Sequence, residues 1–326
     1  MNKNNIGTPY DDVFRTLVND CTSLMIPVVN EVFGEHYTGA EKVTILPGEH
    51  FIKRQGTDTK EKITDSCFEI HGITIKRYHM ECQSTADHNM LIRMFEYDSQ
   101  IALDNGEVIG NCLTLTFPCS AVLYLRHTKN TPDVMTLEIK TPGGDISYEI
   151  PVIKTQKYTI EEIFDKRLLF LIPFYIFTYE SHFSEYEENG KKLKELRNEY
   201  ALIRQRLDEL SRIGQISEYV KCTLVDMSNK VIEQLASKYA KVRKEVTSVM
   251  GGKILEYEAK TILQRGIQAG LQEGRQAGLQ EGRQAGLQEG RLQSYIEMVK
   301  EGFLPVSEAA KRLDMKEEEL KKYLDT

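Results

Sequence analysis

The chain has 326 residues, enough for about two domains if a domain takes roughly 100 to 200 residues. Its composition, with 40% hydrophobic and 28% charged residues, is that of a globular protein and excludes a disordered or fibrous chain. The formal net charge of −7 argues against a protein that coats nucleic acid by bulk electrostatics, although local Lys and Arg side chains can still contact phosphates.

Apolar segments and cysteines predict a cytoplasmic protein without a membrane segment. The longest apolar run, residues 168–177, is about half of the ~20 residues that a membrane-spanning helix needs, so we expect it to be buried core. Residues 1–6 are polar, and no apolar stretch of a secretory signal follows them. The six cysteines form no Cys-x-x-Cys pair and no regular spacing, which indicates neither a zinc knuckle nor a disulfide framework.

Two helices and a strand meander are predicted at the start of the chain. Thr8 is a suitable N-cap and Pro9 a suitable first helical residue, and apolar residues recur on one helical face as far as Cys21. A second helical pattern begins near Ser23 and continues to Gly34. From residue 42 the hydrophobic period changes to two, which predicts antiparallel strands. We expect three of them, at residues 42–52, 62–70 and 73–84.

A third helix and further strands follow the meander. Asp87 can cap a helix at residues 88–105, and residues 111–126 have the pattern of a strand pair that Pro118 interrupts. A hairpin is then expected, with strands at residues 134–140 and 146–152. The order of helix, three strands, helix and strand predicts an α/β (α+β) domain over residues 1–184.

After residue 184 the pattern becomes helical. Residues 185–265 are charged and carry leucines at helical spacing, more often a core face than a coiled-coil seam, although an antiparallel helical pair would also satisfy the spacing. Residues 292–326 predict three short helices in a helix-turn-helix-like layout, with Ser307 capping the second and Asp314 and Glu317 forming a capping box for the third. The K-E-E-E start of the third disfavours DNA reading and favours packing or oligomerisation.

Residues 266–291 repeat the octapeptide G-L-Q-E-G-R-Q-A almost perfectly. In a helix, glycines four residues apart form one drifting stripe at which two helices can approach closely. Each interior glycine costs about 1 kcal/mol relative to alanine, so an isolated helix of this sequence would be marginal. We expect the C-terminal helical region and this repeat to bring copies of the chain together as a homo-oligomer.

The most informative pattern is I-T-D-S-C-F-E-I, followed after a short turn by Y-H-M-E-C-Q-S-T. Because side chains alternate across a strand, Glu81 and Gln83 project from one face, whereas Met80 and Cys82 face the other way. Asp65 lies on the preceding strand, where hairpin pairing can bring it alongside them. Carboxylates, together with water and phosphate oxygens, are the usual ligands of Mg²⁺, which polarises a phosphate and lowers the pKa of a bound water. The pattern therefore indicates phosphodiester hydrolysis.

Four blocks occur in order along the chain: T-P-Y-D-D-V-F-R, I-T-D-S, E-C-Q-S and I-R-M-F-E-Y. Together they resemble the recombination-promoting nuclease / putative transposase family of the PD-(D/E)XK superfamily, over residues 8–180, and the glycine-rich tail is similar in style. The resemblance implies a restriction-endonuclease-like core of helix, three-strand meander, helix and strand, followed by an α-helical C-terminal region. It also implies DNA as the substrate and Mg²⁺ or Mn²⁺ as the cofactor.

Carried over block by block, the resemblance assigns roles to six residues. It implies the metal ligands Asp65 and Glu81, Gln83 at the position of the superfamily's lysine, and the supporting residues Asp11, Arg93 and Tyr97. Arg93 and Tyr97 lie one helical turn apart and would support the site or contact a phosphate. A glutamine can orient an attacking water but cannot neutralise developing charge.

Several of these residues have a second interpretation. Asp11 can simply favour a helix N-terminus through the helix dipole. His79 and Cys82 lie three residues apart on a strand and point to opposite faces, which argues against a zinc pair. The basic residues that flank the site, and that either contact DNA phosphates or are merely solvated, are Lys53, Lys62, Lys76 and Arg77.

The favoured hypothesis is a bacterial, cytoplasmic, metal-dependent DNA endonuclease associated with recombination or mobile elements. The alternative is a catalytically degenerate nuclease fold that acts as a binding or regulatory module, in which Gln83 marks the loss of catalysis. A transposase in the strand-transfer sense is weaker, because only one compact acidic cluster is visible in the sequence.

Overall fold

The computed structural model describes residues 9–46, 49–52, 60–63, 66–85, 89–251, 290, 292–313 and 315–324. The chain divides into two compact units, Met1–Glu256 and Tyr257–Thr326. The change of composition near residue 184, at which the sequence predicts a domain boundary, falls inside the first unit. Across the described ranges, no helix combines the length and the apolar character that are needed to cross a membrane.

A six-stranded mixed sheet forms the framework of the first unit. The strands of this unit are β1 (Lys42–Leu46), β2 (Glu49–Ile52), β3 (Lys60–Ile63), β4 (Ser66–His71), β5 (Ile75–Gln83), β6 (Glu107–Ile109), β7 (Cys112–Thr114), β8 (Cys119–Tyr124), β9 (Val134–Thr141) and β10 (Gly144–Lys154). The sheet has the order β1–β4–β5–β8–β10–β9. Strands β1, β4 and β5 pair antiparallel, β8 is parallel to both β5 and β10, and β9 returns antiparallel to β10. The mixed α/β (α+β) class that the sequence predicts is confirmed.

Helices pack on both faces of this sheet. The helices of the first unit are α1 (Pro9–Asp20), α2 (Met25–Phe33), α3 (Met90–Asp104), α4 (Ile160–Asp165), α5 (Phe183–Glu188), α6 (Gly190–Arg212), α7 (Glu218–Leu235) and α8 (Ala240–Met250). Apolar side chains of α1, α2 and α6 to α8 share one large core with Met80 and Cys82 of β5. On the opposite face, Met94 of α3 packs with Val122 of β8 in a smaller core. The sheet is thus buried on both sides, as a partly parallel sheet requires.

Helical spacing of apolar residues decides which helix faces are buried. Val13, Phe14 and Leu17 of α1 are fully buried, as the sequence predicts. The leucine stripe of α6, which includes Leu196 and Ile203, is buried in the same large core. It is therefore a core face of its own unit, and it is not available as a coiled-coil seam.

The apolar run at residues 168–177 is buried, as the sequence predicts. It belongs to an irregular 3-10 segment, Leu169–His182, that contains Pro173. Before this segment, the Thr159 hydroxyl and the Glu162 carboxylate form a capping box at the start of α4. The segment therefore forms part of the large hydrophobic core of the first unit.

The strands differ from the sequence prediction in three places. The strand expected at residues 62–70 is two strands, β3 and β4, which belong to different sheets. The single strand expected at residues 42–52 is two strands, β1 and β2, and β2 pairs with β3 in a separate two-stranded sheet. The sequence carries the turn-forming pair Pro47-Gly48 between them. The strand pair expected at residues 111–126 is a small hairpin, β6 and β7, followed by the sheet strand β8. Gly110, with φ +61°, supplies the left-handed residue that the two-residue turn of this hairpin needs.

The described part of the second unit contains three helical segments, in the region where the sequence predicts three short helices. They are α9 (residues 292–300), α10 (Val306–Leu313) and α11 (Glu317–Leu324). Ala309, Ala310 and Leu320 form their buried centre. Ser307 does not cap α10, since the helix already begins at Val306. Asp314 and, apart from Gly290, the glycine repeat lie outside the described residues.

Candidate active site at strand β5

Strand β5 divides its side chains between the two faces of the sheet. Met80 and Cys82 point into the large core. His79 and Glu81 alternate with them and lie on the face that α3 covers, so His79 and Cys82 point to opposite faces, as the sequence predicts. Gln83, the last residue of the strand, has the same parity as Glu81 and is half-buried.

The Glu81 carboxylate is fully buried and is held by two basic side chains. The Arg93 guanidinium donates a hydrogen bond from Nη2 to Oε2 at 2.8 Å. His79 Nε2 lies 3.4 Å from Oε1 of the same carboxylate. A buried carboxylate is costly unless it is paired and hydrogen-bonded, and these two contacts provide that compensation.

His79 is itself anchored on its other ring nitrogen. Its Nδ1 donates to Oδ1 of Asp98 in α3 at 2.7 Å, and both residues are fully buried. Asp98 also accepts a hydrogen bond from the Ser120 hydroxyl at 2.7 Å and one from the Tyr148 hydroxyl at 3.2 Å. Ser120 reaches Asp98 because it pairs with His79 in the parallel register of β5 and β8. One buried polar network therefore runs from Glu81 through His79 to Asp98.

The neighbours of His79 set its charge. Burial lowers the pKa of His79, but its hydrogen bonds to Asp98 and Glu81 outweigh burial and raise that pKa to about 9. The imidazole is therefore cationic at neutral pH. Beside it in the β4–β5 register lies Cys67, whose thiol pKa burial raises to about 12, so this sulfur is protonated and is not a metal-binding thiolate.

Tyr97 lies between the two basic groups. Its ring centroid is 5.9 Å from the guanidinium carbon of Arg93, and the ring meets His79 edge-on at 5.9 Å between centroids. These contacts restrict both groups that hold Glu81. The structure thus brings together three of the six residues that the family resemblance implies, namely Glu81, Arg93 and Tyr97.

Asp11 comes from another element of the first unit. It belongs to the first turn of α1, a helix whose apolar stripe packs on the opposite face of the sheet. The start of this helix is joined to the end of β5 through Arg126, which lies over the Tyr10 ring and donates from Nη1 to the main-chain oxygen of Ser84 at 3.1 Å. Glu180 fixes Arg126 in that position with two hydrogen bonds.

Asp65 lies outside the described residues, so its distance from Glu81 is not given by the structure. The next residue, Ser66, begins β4 and pairs with Met80, and its hydroxyl donates to the main-chain oxygen of Met80 at 3.0 Å. Met80 is the immediate neighbour of Glu81.

Two of the four flanking basic residues are already paired with carboxylates. Lys76 bonds Glu35 at 2.6 Å, and Arg77 bonds Glu69 at 2.5 Å. Lys53 lies outside the described residues, and Lys62 belongs to β3. The described part of the first unit therefore shows no cluster of unpaired Lys and Arg from this set beside Glu81.

Sequence reasoning missed Asp98, Ser120 and Tyr148. For Asp98 the local sequence contains one signal of burial, its place on the apolar stripe of α3 between Met94 and Ile101, but its charge argues for solvent. Ser120 and Tyr148 had none, since they reach Asp98 from 22 and 50 residues further along the chain.

The oxygen donors at β5 are of the type that a hard divalent cation prefers. The described residues supply a single carboxylate there, and they contain no group of three or more His, Cys, Asp or Glu that could hold a metal ion. A metal site at Glu81 would use a second carboxylate, and the candidate that the sequence predicts is Asp65, the residue before Ser66. Comparison with family models, with curated proteins and with solved structures finds no match to this chain.

Proposed function

We propose that this protein is a metal-dependent DNA endonuclease with a restriction-endonuclease-like core, using Mg²⁺ or Mn²⁺. The observation that carries this proposal is the alternation in β5, where Glu81 and Gln83 share the face that α3 covers. Asp65 would supply the second carboxylate. Ser66, which follows Asp65 in the sequence, pairs with Met80, the residue before Glu81. The carboxylates of Asp65 and Glu81 would therefore lie close together if the antiparallel register continued by one residue.

The connections around β5 support this assignment. The antiparallel pairs β1–β4 and β4–β5 are followed by helix α3 and then by β8, which returns parallel to β5. Ligands in mixed α/β sheets bind near the carboxyl ends of parallel strands. Gln83 ends β5, and Arg126 follows β8 and contacts Ser84 at this same edge.

The Arg93 guanidinium lies beside the Glu81 carboxylate, where a bound metal ion would lie. Its side chain is 31% exposed, whereas Glu81 is fully buried, so the guanidinium can leave toward solvent or toward a phosphate while the carboxylate stays fixed. A bound divalent ion would polarise the scissile phosphate and lower the pKa of a water. Gln83 would orient that water, and His79 with Asp98 would keep Glu81 in position.

The experiment is a cleavage assay on plasmid and linear DNA with Mg²⁺, with Mn²⁺ and with a chelator. We expect metal-dependent cleavage that Glu81→Gln and Asp65→Asn lower by at least about 100-fold, since each removes a charged ligand. Glu69→Gln is the matched control, because Glu69 is a half-buried carboxylate of β4 that pairs with Arg77 away from this site. Cleavage that persists in Glu81→Gln would remove Glu81 from the active site.

One observation favours the second candidate, a degenerate nuclease fold that serves as a binding or regulatory module. Both oxygens of Glu81 are already engaged by basic groups, Arg93 and a cationic His79. Titration calorimetry with Mn²⁺ separates the two functions. Binding that is lost in Asp65→Asn supports the nuclease, whereas wild-type protein that binds neither Mn²⁺ nor Mg²⁺ supports the degenerate module.

DNA is the proposed partner, and the chain is proposed to form a homo-oligomer. The leucine stripe of α6 cannot serve that purpose, because it is buried in its own unit. A contact between copies must therefore use another surface.

A further inference from the structure

A cleft opens between helices α7 and α8, beside the start of α1. Its volume is about 580 Å³, and Pro9 forms the α1 side of it. Its charged lining consists of three bases and one acid, so the net formal charge of the lining is positive, whereas the whole chain has a formal charge of −7. These charged residues are Lys230, Arg243, Lys244 and Glu233.

Two of the three bases form no ion pair with a carboxylate of the described residues. The Lys244 side chain is exposed and makes no hydrogen bond within those ranges. Arg243 is half-buried and donates from Nη1 to the main-chain oxygen of Ser237 at 3.3 Å, a contact that uses one donor and leaves the charge in place. The third base, Lys230, is bonded to Asp12, whose side chain is 64% exposed. Arg243 and Lys244 therefore offer positive charge to a ligand.

The attraction for an anion comes from these side chains and not from the end of a helix. The main chain at the start of α8 already binds a carboxylate, because Glu187 accepts hydrogen bonds from the N–H groups of Lys241 and Val242 at 3.0 Å and 3.1 Å. A further anion in the cleft must therefore be held by Arg243 and Lys244.

A phosphate group fits this pair of bases. The planar guanidinium presents N–H donors that match two oxygens of a phosphate, and the ammonium of Lys244 adds a compact charge beside Arg243 in the sequence. Gln234 also lines the cleft and is exposed, so its amide can donate to the same group. The carboxylate of Glu233 acts in the opposite direction, because it repels an anion.

The first turn of α1 connects the cleft with the candidate active site. Pro9 borders the cleft, and the ring centroid of the next residue, Tyr10, is 5.9 Å from the guanidinium carbon of Arg126. Arg126 in turn donates to the main-chain oxygen of Ser84, one residue beyond Gln83. One helical turn and one side chain thus join the cleft to the carboxyl edge of β5. A polymer with a phosphate at every nucleotide can contact both places, whereas a single small anion cannot.

We propose that this cleft binds a backbone phosphate of the DNA substrate, away from the phosphate that is cleaved. The identity of the polymer rests on the proposed nuclease function. The contact is independent of base sequence, because every nucleotide carries the same phosphate. It positions the DNA along the first turn of α1, and it adds affinity that salt weakens.

The test measures binding of a labelled DNA duplex to the full chain by fluorescence anisotropy, with a chelator present so that no cleavage occurs. Arg243→Gln and Lys244→Gln should each weaken binding by about three- to tenfold and lower the slope of log Kd against log salt concentration by about one. Glu233→Gln should tighten binding by about two- to threefold, since it removes a repulsive charge. A variant that merely disturbs the fold would not bind DNA more tightly.

Lys42→Gln is the matched control, because it removes the same charge at the far end of the sheet. Lys42 is exposed at the start of β1 and pairs with His71, which in turn pairs with Ile75, the first residue of β5. The cleft instead is linked to the last residues of β5. Binding by Lys42→Gln should therefore stay within about twofold of wild type.

The outcomes separate this inference from the nuclease proposal. If Arg243→Gln and Lys244→Gln bind DNA as Lys42→Gln does, the cleft is not a DNA contact, whatever cleavage wild type shows. If wild type binds DNA through these residues but cleaves none with Mg²⁺ or Mn²⁺, the cleft stands and the nuclease fails. Wild type that binds no DNA rejects both.

Calorimetry with inorganic phosphate and with a deoxynucleoside monophosphate distinguishes the source of the phosphate. We expect neither to bind with micromolar affinity, because each offers a single phosphate to a site that uses a polymer. Micromolar binding of either one that Arg243→Gln abolishes would assign the cleft to a free phosphate compound and would overturn its assignment to DNA.

Discussion

The Glu81 side chain shows how a buried charge is tolerated in this protein. It sits between Arg93, which is partly exposed, and His79, which is fully buried, and both supply hydrogen bonds. The negative charge of Asp98 then balances His79 from the other side, with Ser120 and Tyr148 as further donors. Because the members are hydrogen-bonded to one another, removing one leaves another buried with a partner missing.

His79 predicts a specific dependence of stability on pH. Its folded-state pKa of about 9 lies above the ~6.5 of a histidine in an unfolded chain, so the folded state binds the proton more tightly. This contribution to the free energy of unfolding is complete below about pH 6.5 and is lost as the pH rises through about 9. Its size is on the order of 3 kcal/mol.

The measurement is urea denaturation of wild type and of His79→Gln between about pH 6 and pH 10. The difference in unfolding free energy between the two proteins should shrink across that interval. A difference that stays constant would mean that the folded state binds the His79 proton no more tightly than the unfolded chain does.

Single residues also show what local sequence contains. The alternation that separates Glu81 from Cys82 is a property of any strand, so it was predictable. The partners of Glu81 were not: the family resemblance implies Arg93 only as a supporting residue, and the pairing of His79 with Asp98 depends on how α3 lies on the sheet. Asp98 is charged, and a charged residue in a helix is usually assigned to solvent.

At the scale of elements, α6 is stabilised by burial of one stripe. Its apolar residues lie on one side at helical spacing, and that side packs on the large core, whereas Leu202 on the other side is 41% exposed. The pattern therefore predicted both the helix and its buried side. It did not predict that residues 185–265 break into separate helices, because the breaks depend on short signals such as Gly214, with φ +75°, and the N-cap Ser217.

Adjacent residues of α6 give a matched test of this burial. Ile203→Ala should lower the free energy of unfolding by about 2 to 4 kcal/mol, since a fully buried side chain is removed from the core. Leu202→Ala removes a similar side chain from the exposed side and should change it by no more than about 0.5 kcal/mol. Denaturant unfolding measures both, and equal losses would contradict the assignment of the stripe.

The small strands show where prediction from sequence stops. Residues 107–114 lack the length and the alternation of a sheet strand, and the local signal that favours a hairpin there is the Gly110 turn. Likewise β2 follows β1 in the sequence but pairs with β3, because register and partner are set by packing over long distances. The presence of a strand can be predicted from local sequence, whereas the strand that it pairs with cannot.

At the scale of the whole molecule, the described residues contain separate cores in the two compact units. The core of α9 to α11 shares no side chain with those on the two faces of the sheet. A chain that ends at residue 256 should therefore keep the cooperative unfolding of the first unit, with a thermal midpoint within about 3 °C of the full chain. Calorimetry of the two chains measures this, and a larger decrease would show that the second unit stabilises the first.

Helix α3 carries different side chains on its two sides. Arg93, Tyr97 and Asp98 face the sheet and fix Glu81, whereas Ile92 and Phe95, interleaved with them in the same turns, face outward. A rigid rod cannot rotate one flank without the other. A rotation of α3 on the sheet would therefore move the side chains that hold Glu81 together with the outward apolar side chains.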